Sequence, residues 1–336
     1  MRFFLSFLPD LVVDFKIVLA YTMYNRTSRT SVPKSICVPG RTFFCKREKT
    51  MAMVKCATTY EEQLAILERR GVIIPDRSVC TQILENVNYY RLMAYFLPCK
   101  QADDTYKPGT DFLKVYRVYE FDRKLRRVLF SALEEVEISL RSRFAYYHAH
   151  KYGPIGYLDA SNYSVRHNHE KFMEQIQREI DSNRKVLFVK HHLEQYEGVF
   201  PIWVISELFT FGMLSRFYSD LPLEDQKHLS KGTYSTTPNT IRSWLRCCSD
   251  LRNICAHYGR LYYRIFSAIP SGVAGDPEKL RRLWGAIHAL RGLYLDSEKW
   301  NTEVLPAISA LIEEYSDVVE LYRLAFPPEW ERLLRK

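Results

Sequence analysis

Five polar residues within residues 250–264 have the types and spacing to act together on a phosphodiester: Arg252, Asn253, His257, Arg260 and Arg264. Trp244, Cys248, Leu251, Cys255, Tyr258 and Tyr262 recur at steps of four and three, the apolar stripe of a helix, and this sets the polar five on other faces. Asn253 and His257 then stand one turn apart, and His257, Arg260 and Arg264 follow at i, i+3 and i+7. Arg252 is rotated away, but its long side chain reaches round to the same space. A guanidinium can grip the non-bridging oxygens of a phosphate and offset the charge that builds up in the transition state. An imidazole can take the proton of a 2′-hydroxyl and return one to a leaving 5′-oxygen, while an amide orients the imidazole. RNA brings its own nucleophile to this set, so no metal is required, and DNA could not react in this way.

Such a helix must be held by others. The longest uninterrupted helical pattern, roughly residues 111–150, lacks Pro and Gly, and Thr110 can cap it. Phe121, Leu125, Val128, Ala132, Val136, Leu140, Phe144 and Tyr147 form its buried stripe. Asp122, Arg126, Glu137, Arg141 and His148 return to within about a quarter-turn of one another on a different face. Taken alone, that line reads as exposed i, i+4 ion pairs, each worth little. Tyr90 and Arg91, in "NYYR", read either as groove packing by amphipathic rings or as base stacking beside a cation. The run "FPIWVISELFTFGMLSRFYSDL" is apolar almost all round and predicts one central helix after Pro201, with Gly212 at a close crossing and Glu207 as its one acid before the final Asp. The polar stretch "SKGTYSTTPNT" reads as a loop leading into the motif helix from about residue 239. Residues 166–195 read as helical; His167, His169, His191 and His192 show no H-E-x-x-H spacing and read as surface residues. Beyond the linker "SAIPSGVAGDPEK", residues 278–295 and 301–325 read as amphipathic helices.

Composition sets the class. With 336 residues, 47% hydrophobic and 26% charged, the chain can build a sizeable core. Alternating strand patterns, a Gly-rich phosphate loop and internal repeats are missing, so the expected fold class is all-α. Nine of the 48 basic residues but only three of the 39 acidic ones fall in residues 1–50, which leaves the remainder only mildly basic. The eight cysteines form no C-x-x-C pair, so we expect neither structural disulfides nor a metal site, and a cytoplasmic location. The segment "MRFFLSFLPDLVVDFKIVLAYTMY" is interrupted by Pro9, Asp10, Asp14 and Lys16, which argues against a membrane span or a signal peptide. Residues 1–50 read as an extension outside the fold, with a start at Met51 or Met53; a membrane-surface anchor is the alternative.

Arg252-x-x-x-x-His257, with Asn253 directly after the arginine, resembles the ribonuclease motif of the HEPN superfamily. Five ordered blocks narrow the resemblance: "YEEQLAILERRGVII", "LENVNYYRLMAYFLP", "GTDFLKVYRVYEFDRKLRRVLFSALEEVEISLRSRFAYY", "PIWVISELFTFGMLSRFYSDL" and "SWLRCCSDLRNICAHYGRLYYR". Together, over roughly residues 58–266, they resemble the Abi family of bacterial abortive-infection proteins, the AbiD/AbiF-like group. The Tyr262-Tyr263 pair departs from the Trp-Asn that relatives often carry. The resemblance implies a multi-helix bundle with a HEPN-like four-helix core spanning residues 56–266, with residues 267–336 packed on it. It implies a metal-independent endoribonuclease toxin, without cofactor, whose products end in a 2′,3′-cyclic phosphate and a 5′-hydroxyl. Arg252 would clamp the phosphate, His257 would act as general acid and base, and Asn253 would orient. Arg260 and Arg264 would hold flanking phosphates. Glu137 and Arg141 on the long helix would form a supporting shell, with Asp122, Arg126, Tyr90 and Arg91 as further supporting or RNA-binding residues. A homodimer would bring two motifs together, RNA would be substrate, and a small structured RNA a possible regulator. Two alternatives are a phage-defence module that binds RNA without cutting it, and a dimeric scaffold.

Overall fold

The helices form where the sequence supplies caps and stripes. The computed structural model describes residues 56–336, together with the backbone of an antiparallel pair of two-residue strands, Phe44–Cys45 and Ala52–Met53, with Phe44 opposite Met53. The rest of the expected extension lies outside the described residues. The all-α expectation holds: α1 Tyr60–Arg69, α2 Arg77–Asn86, α3 Tyr89–Phe96, α4 Phe112–Tyr152, α5 His169–Ser182, α6 Leu187–Gln195, α7 Ile202–Ile205, α8 Phe211–Asp220, α9 Leu223–Tyr234, α10 Pro238–Ala256, α11 Pro277–Leu280, α12 Leu283–Leu293, α13 Ser297–Lys299, α14 Leu305–Glu314 and α15 Trp330–Leu334. Tyr60–Lys336 forms one compact unit. No described helix is long and apolar enough to cross a membrane.

Two helices organise this unit. α4 runs for 41 residues, and at 1.5 Å per residue it is about 60 Å long. Asp111, not the expected Thr110, caps it, accepting from the Leu113 and Lys114 amides at 2.8 and 3.1 Å. The Thr110 hydroxyl instead donates to the Lys107 carbonyl in the preceding turn. Gly153, at φ +83°, ends α4, a conformation that costs a residue without Cβ nothing. α4 packs against α3, α7, α8, α10, α12 and α14, so more than one of its faces is buried. α10 packs against α4, α8, α9 and α12. Its buried side carries Ile241, Leu245, Cys247, Cys248, Leu251, Ile254 and Cys255. Burial pushes the thiols of Cys247 and Cys255 up to about 12, so these are inert core residues.

Several local expectations are corrected. The apolar run after Pro201 is not one helix: it breaks between α7 and α8, where Phe209 is extended and the Thr210 hydroxyl caps α8 through the Met213 amide. The stretch read as a loop before the motif helix contains the last five residues of α9, a 12-residue helix whose first turn holds Glu224 and Asp225, favourable at a helix start. His167, expected on the surface, bonds Asp220 at 2.9 Å and stacks on Tyr163.

Candidate functional site

α10 ends sooner than the periodicity predicts. Its last helical residue is Ala256, and His257 is the C-cap, with its amide donating to the Asn253 carbonyl at 3.0 Å. The Gly259 amide returns to the Ile254 carbonyl at 2.7 Å and the Tyr258 amide to the Cys255 carbonyl at 3.2 Å. These are the two bonds of a Schellman motif, which places Tyr258 at the left-handed position usually held by Gly. Tyr258 has φ +56°. The expectation that Arg260 and Arg264 continue the His257 face is therefore overturned: both follow the turn rather than the helix. Tyr258, expected in the apolar stripe, is 69% exposed beside His257.

Asn253 and His257 are exposed, and Arg252 is half-buried and turned toward α4. Its Nε donates to Glu137 Oε2 at 3.3 Å. Glu137 is buried, and its other oxygen accepts from Arg141 Nη2 at 2.6 Å. Arg141 in turn donates through Nε and Nη2 to the Phe209 carbonyl, at 3.1 and 2.9 Å. That carbonyl is left over by the break between α7 and α8, so the broken helix and the arginine satisfy one another. Glu207, the acid of the same run, reaches Arg141 Nη1 at 3.7 Å. A buried carboxylate between two guanidiniums is a paired charge. It orients Arg252 and leaves both of its Nη groups without a hydrogen bond among the described residues.

The turn after His257 is tied down by the residues sequence reasoning assigned to support or RNA contact. Arg91 Nη1 donates to the Tyr258 carbonyl at 2.7 Å, and Arg126 Nη1 to the Gly259 carbonyl at 3.2 Å. Asp122, fully buried, accepts from Arg126, from the Tyr95 hydroxyl at 2.7 Å, and from the amides of Leu261 and Tyr262 at 3.1 and 2.8 Å. Burial raises its carboxyl above the ordinary value, against Arg126 and these donors, which favour the anion. Arg260 donates to the Ala94 carbonyl at the end of α3 and lies over the Tyr95 ring, its pKa lowered by burial. From the other side, the Tyr262 hydroxyl accepts from the Glu320 amide at 3.0 Å, and Arg282 Nη1 donates to the Tyr263 carbonyl at 2.9 Å. The line Asp122, Arg126, Glu137 and His148 is thus not a solvated face: all four are buried. Tyr90 and Arg264 stay exposed.

Sequence reasoning missed Tyr258. Its signal was available in part, because a Gly directly after it in "HYG" marks the end of a helix. Among the described residues no group of three or more His, Cys, Asp or Glu side chains is placed to hold a metal ion.

A family model described as Abi-like protein matches residues 82–263, more than half of the chain, from α2 through the turn after α10. No curated protein and no solved structure matches the chain.

Proposed function

The chain belongs to the Abi-like protein family, whose name points to abortive infection, and on that premise we propose that it is a HEPN-type, AbiD/AbiF-like endoribonuclease acting as a toxin in phage defence. The observation that carries the reading is the Arg252–Glu137–Arg141 arrangement on a helix that ends at an exposed His257. The C-terminal end of a helix disfavours an anion. A guanidinium oriented there by a buried carboxylate, with both Nη groups free of hydrogen bonds among the described residues, supplies the missing positive charge and a bidentate grip on a phosphate. His257 takes the 2′-hydroxyl proton and returns one to the leaving 5′-oxygen, and Asn253, one turn earlier, orients substrate or imidazole. The exposed ring of Tyr258 offers a stacking surface for an adjacent base. Two copies of the chain, each with one motif, would complete a composite site in a homodimer.

The test uses the full chain and His257→Ala, each incubated with total RNA in EDTA, followed by mapping of the ends. New 5′-hydroxyl and 2′,3′-cyclic phosphate ends made by the wild type only are expected. RNA bound intact by both proteins would replace the nuclease with a binding module. RNA neither bound nor cut would remove nucleic acid from the reading altogether.

A further inference from the structure

The structure holds a second basic feature on α10 that the candidate centre does not use. An open groove of about 620 Å³ lies between α8, the N-terminal half of α10, the loop 267–271 and Arg281 at the end of α11. Its charged lining is entirely cationic: Arg242, Arg246 and Arg281. The other polar lining side chains are Asn239 and five serines, Ser215, Ser219, Ser243, Ser267 and Ser271, and no aromatic ring borders it. Glu278, itself exposed, places its carboxylate 3.7 Å from Arg281 Nε.

The groove is built rather than incidental. The Ser271 amide donates to Ser243 Oγ at 2.8 Å, the Trp244 indole donates to the Ser271 carbonyl at 3.0 Å, and Ser267 donates to Asp250, so the loop is stapled along α10. Arg242 is held by Asn239 through Nη2, while its Nε is out of solvent and has no hydrogen-bond partner among the described residues. Arg246 is exposed and makes no ion pair among the described residues. Hydroxyls, an amide and three guanidiniums without a lining carboxylate suit the oxygens of phosphate and sugar. The lack of rings suits backbone rather than bases.

Its direction adds the second argument. Arg242, Arg246, Ser249, Asn253 and His257 follow one another at steps of four, three, four and four, so they share one face of α10. From Arg246 to His257 the helix rises about 16 Å, a few nucleotides of single strand. We infer that the groove holds the sugar–phosphate backbone of an RNA strand whose scissile phosphate lies at Arg252 and His257, a sequence-independent subsite for the flank of the substrate. The inference rests on the ribonuclease reading for the identity of the polyanion, and on the groove for its location.

The experiment measures binding of a labelled single-stranded RNA to the full chain in the His257→Ala background, over a range of salt, with Arg242→Gln/Arg246→Gln and, separately, Arg281→Gln. Thermal unfolding of each variant checks the fold. Arg281→Gln lies outside α10, so a folding defect in the double variant leaves the question answerable. Loss of two phosphate contacts lowers the slope of log affinity against log salt by about 1.4 for a single strand, and weakens binding roughly tenfold at moderate salt. The loss is expected to be equal for unrelated RNA sequences. Unchanged affinity and slope in both folded variants would overturn the subsite while leaving the nuclease reading standing. A groove-dependent loss of binding, with no cleavage of the same RNA by the wild-type chain, would support the subsite and overturn the nuclease. No binding by the parent would overturn both.

Discussion

On the proposed ribonuclease reading, Glu137 sets the direction in which Arg252 would meet a phosphate. Glu137 is buried between Arg141 and Arg252, and on that reading its role would be geometric: it fixes one guanidinium edge and would leave the other to a substrate. Glu137→Gln keeps the shape and removes the charge. We expect RNA cleavage to fall roughly 10- to 100-fold, the scale of a misplaced catalytic group, while RNA affinity changes little. Single-turnover rates beside binding curves check this, and an unchanged rate would return Glu137 to a packing role. Tyr258 makes a second case at this scale. A non-glycine residue at a left-handed helix end carries a cost of about 1 kcal/mol, and here it accompanies an exposed ring beside His257. Tyr258→Gly should therefore stabilise the chain by about that amount in urea unfolding and weaken RNA binding. A variant that binds as well as the parent would leave the strained backbone without a functional account.

At the scale of elements, the centre depends on where α10 stops and on what presses against it. α12 packs on α10 with Gly292 against the face of Trp244, where a Cβ would stand 2.4 Å from a ring carbon. Trp244 in turn bonds the loop at Ser271. Gly292→Ala should cost about 1–3 kcal/mol as an overpacked contact. Trp244→Leu in the same chain should recover part of that loss, which a double-mutant cycle in urea would read as coupling between the two sites. Additive losses would mean that the two helices adjust independently. The break between α7 and α8 belongs to the same scale. The apolar run is continuous in sequence, and it breaks because Thr210 caps a new helix while Arg141 takes the carbonyl that the old one releases.

The whole molecule carries a pH dependence in its core. His148 on α4 is fully buried among Tyr152, Tyr163 and Phe217, with neither ring nitrogen hydrogen-bonded among the described residues, and burial pulls its pKa down to about 4 against the opposing field of Asp225. His288 on α12 is also lowered to about 4, by burial first and by Arg291. Between pH 4 and an unfolded value near 6.5, the unfolded chain binds more protons than the folded one, so stability rises with pH. The contribution is complete above about 6.5 and is lost as pH falls toward 4, by about 3 kcal/mol for a fully buried histidine. Urea midpoints across this window should fall with pH, and His148→Leu should flatten the profile. A profile of unchanged steepness would move the effect to other groups.

How much of this was legible in the sequence follows from the range of the forces involved. Helix type, the buried stripe of α4, the core side of α10 and the pairing of Asp122 with Arg126 and Glu137 with Arg141 all arise within one or two turns. Periodicity and i, i+4 spacing determine them without reference to the rest of the chain. The end of α10 was not legible in that way. Apolar spacing carries through Tyr258 and Tyr262, but Arg91, Asp122 and Arg126, more than 130 residues earlier, bind the backbone of the turn and hold it out of the helix. The same holds for the line on α4: spacing alone left exposed ion pairs and a supporting shell as alternatives, and Asp122, Arg126, Glu137 and His148 are buried, because whether a charge faces water depends on which helices cover it. The sequence by itself determined which side chains could do chemistry. Only the tertiary structure decided that Arg252 turns to α4, that Arg260 turns to Ala94, and that a groove opens beside Arg242 and Arg246. Burial and long-range hydrogen bonds set those directions, and neither is encoded in local spacing.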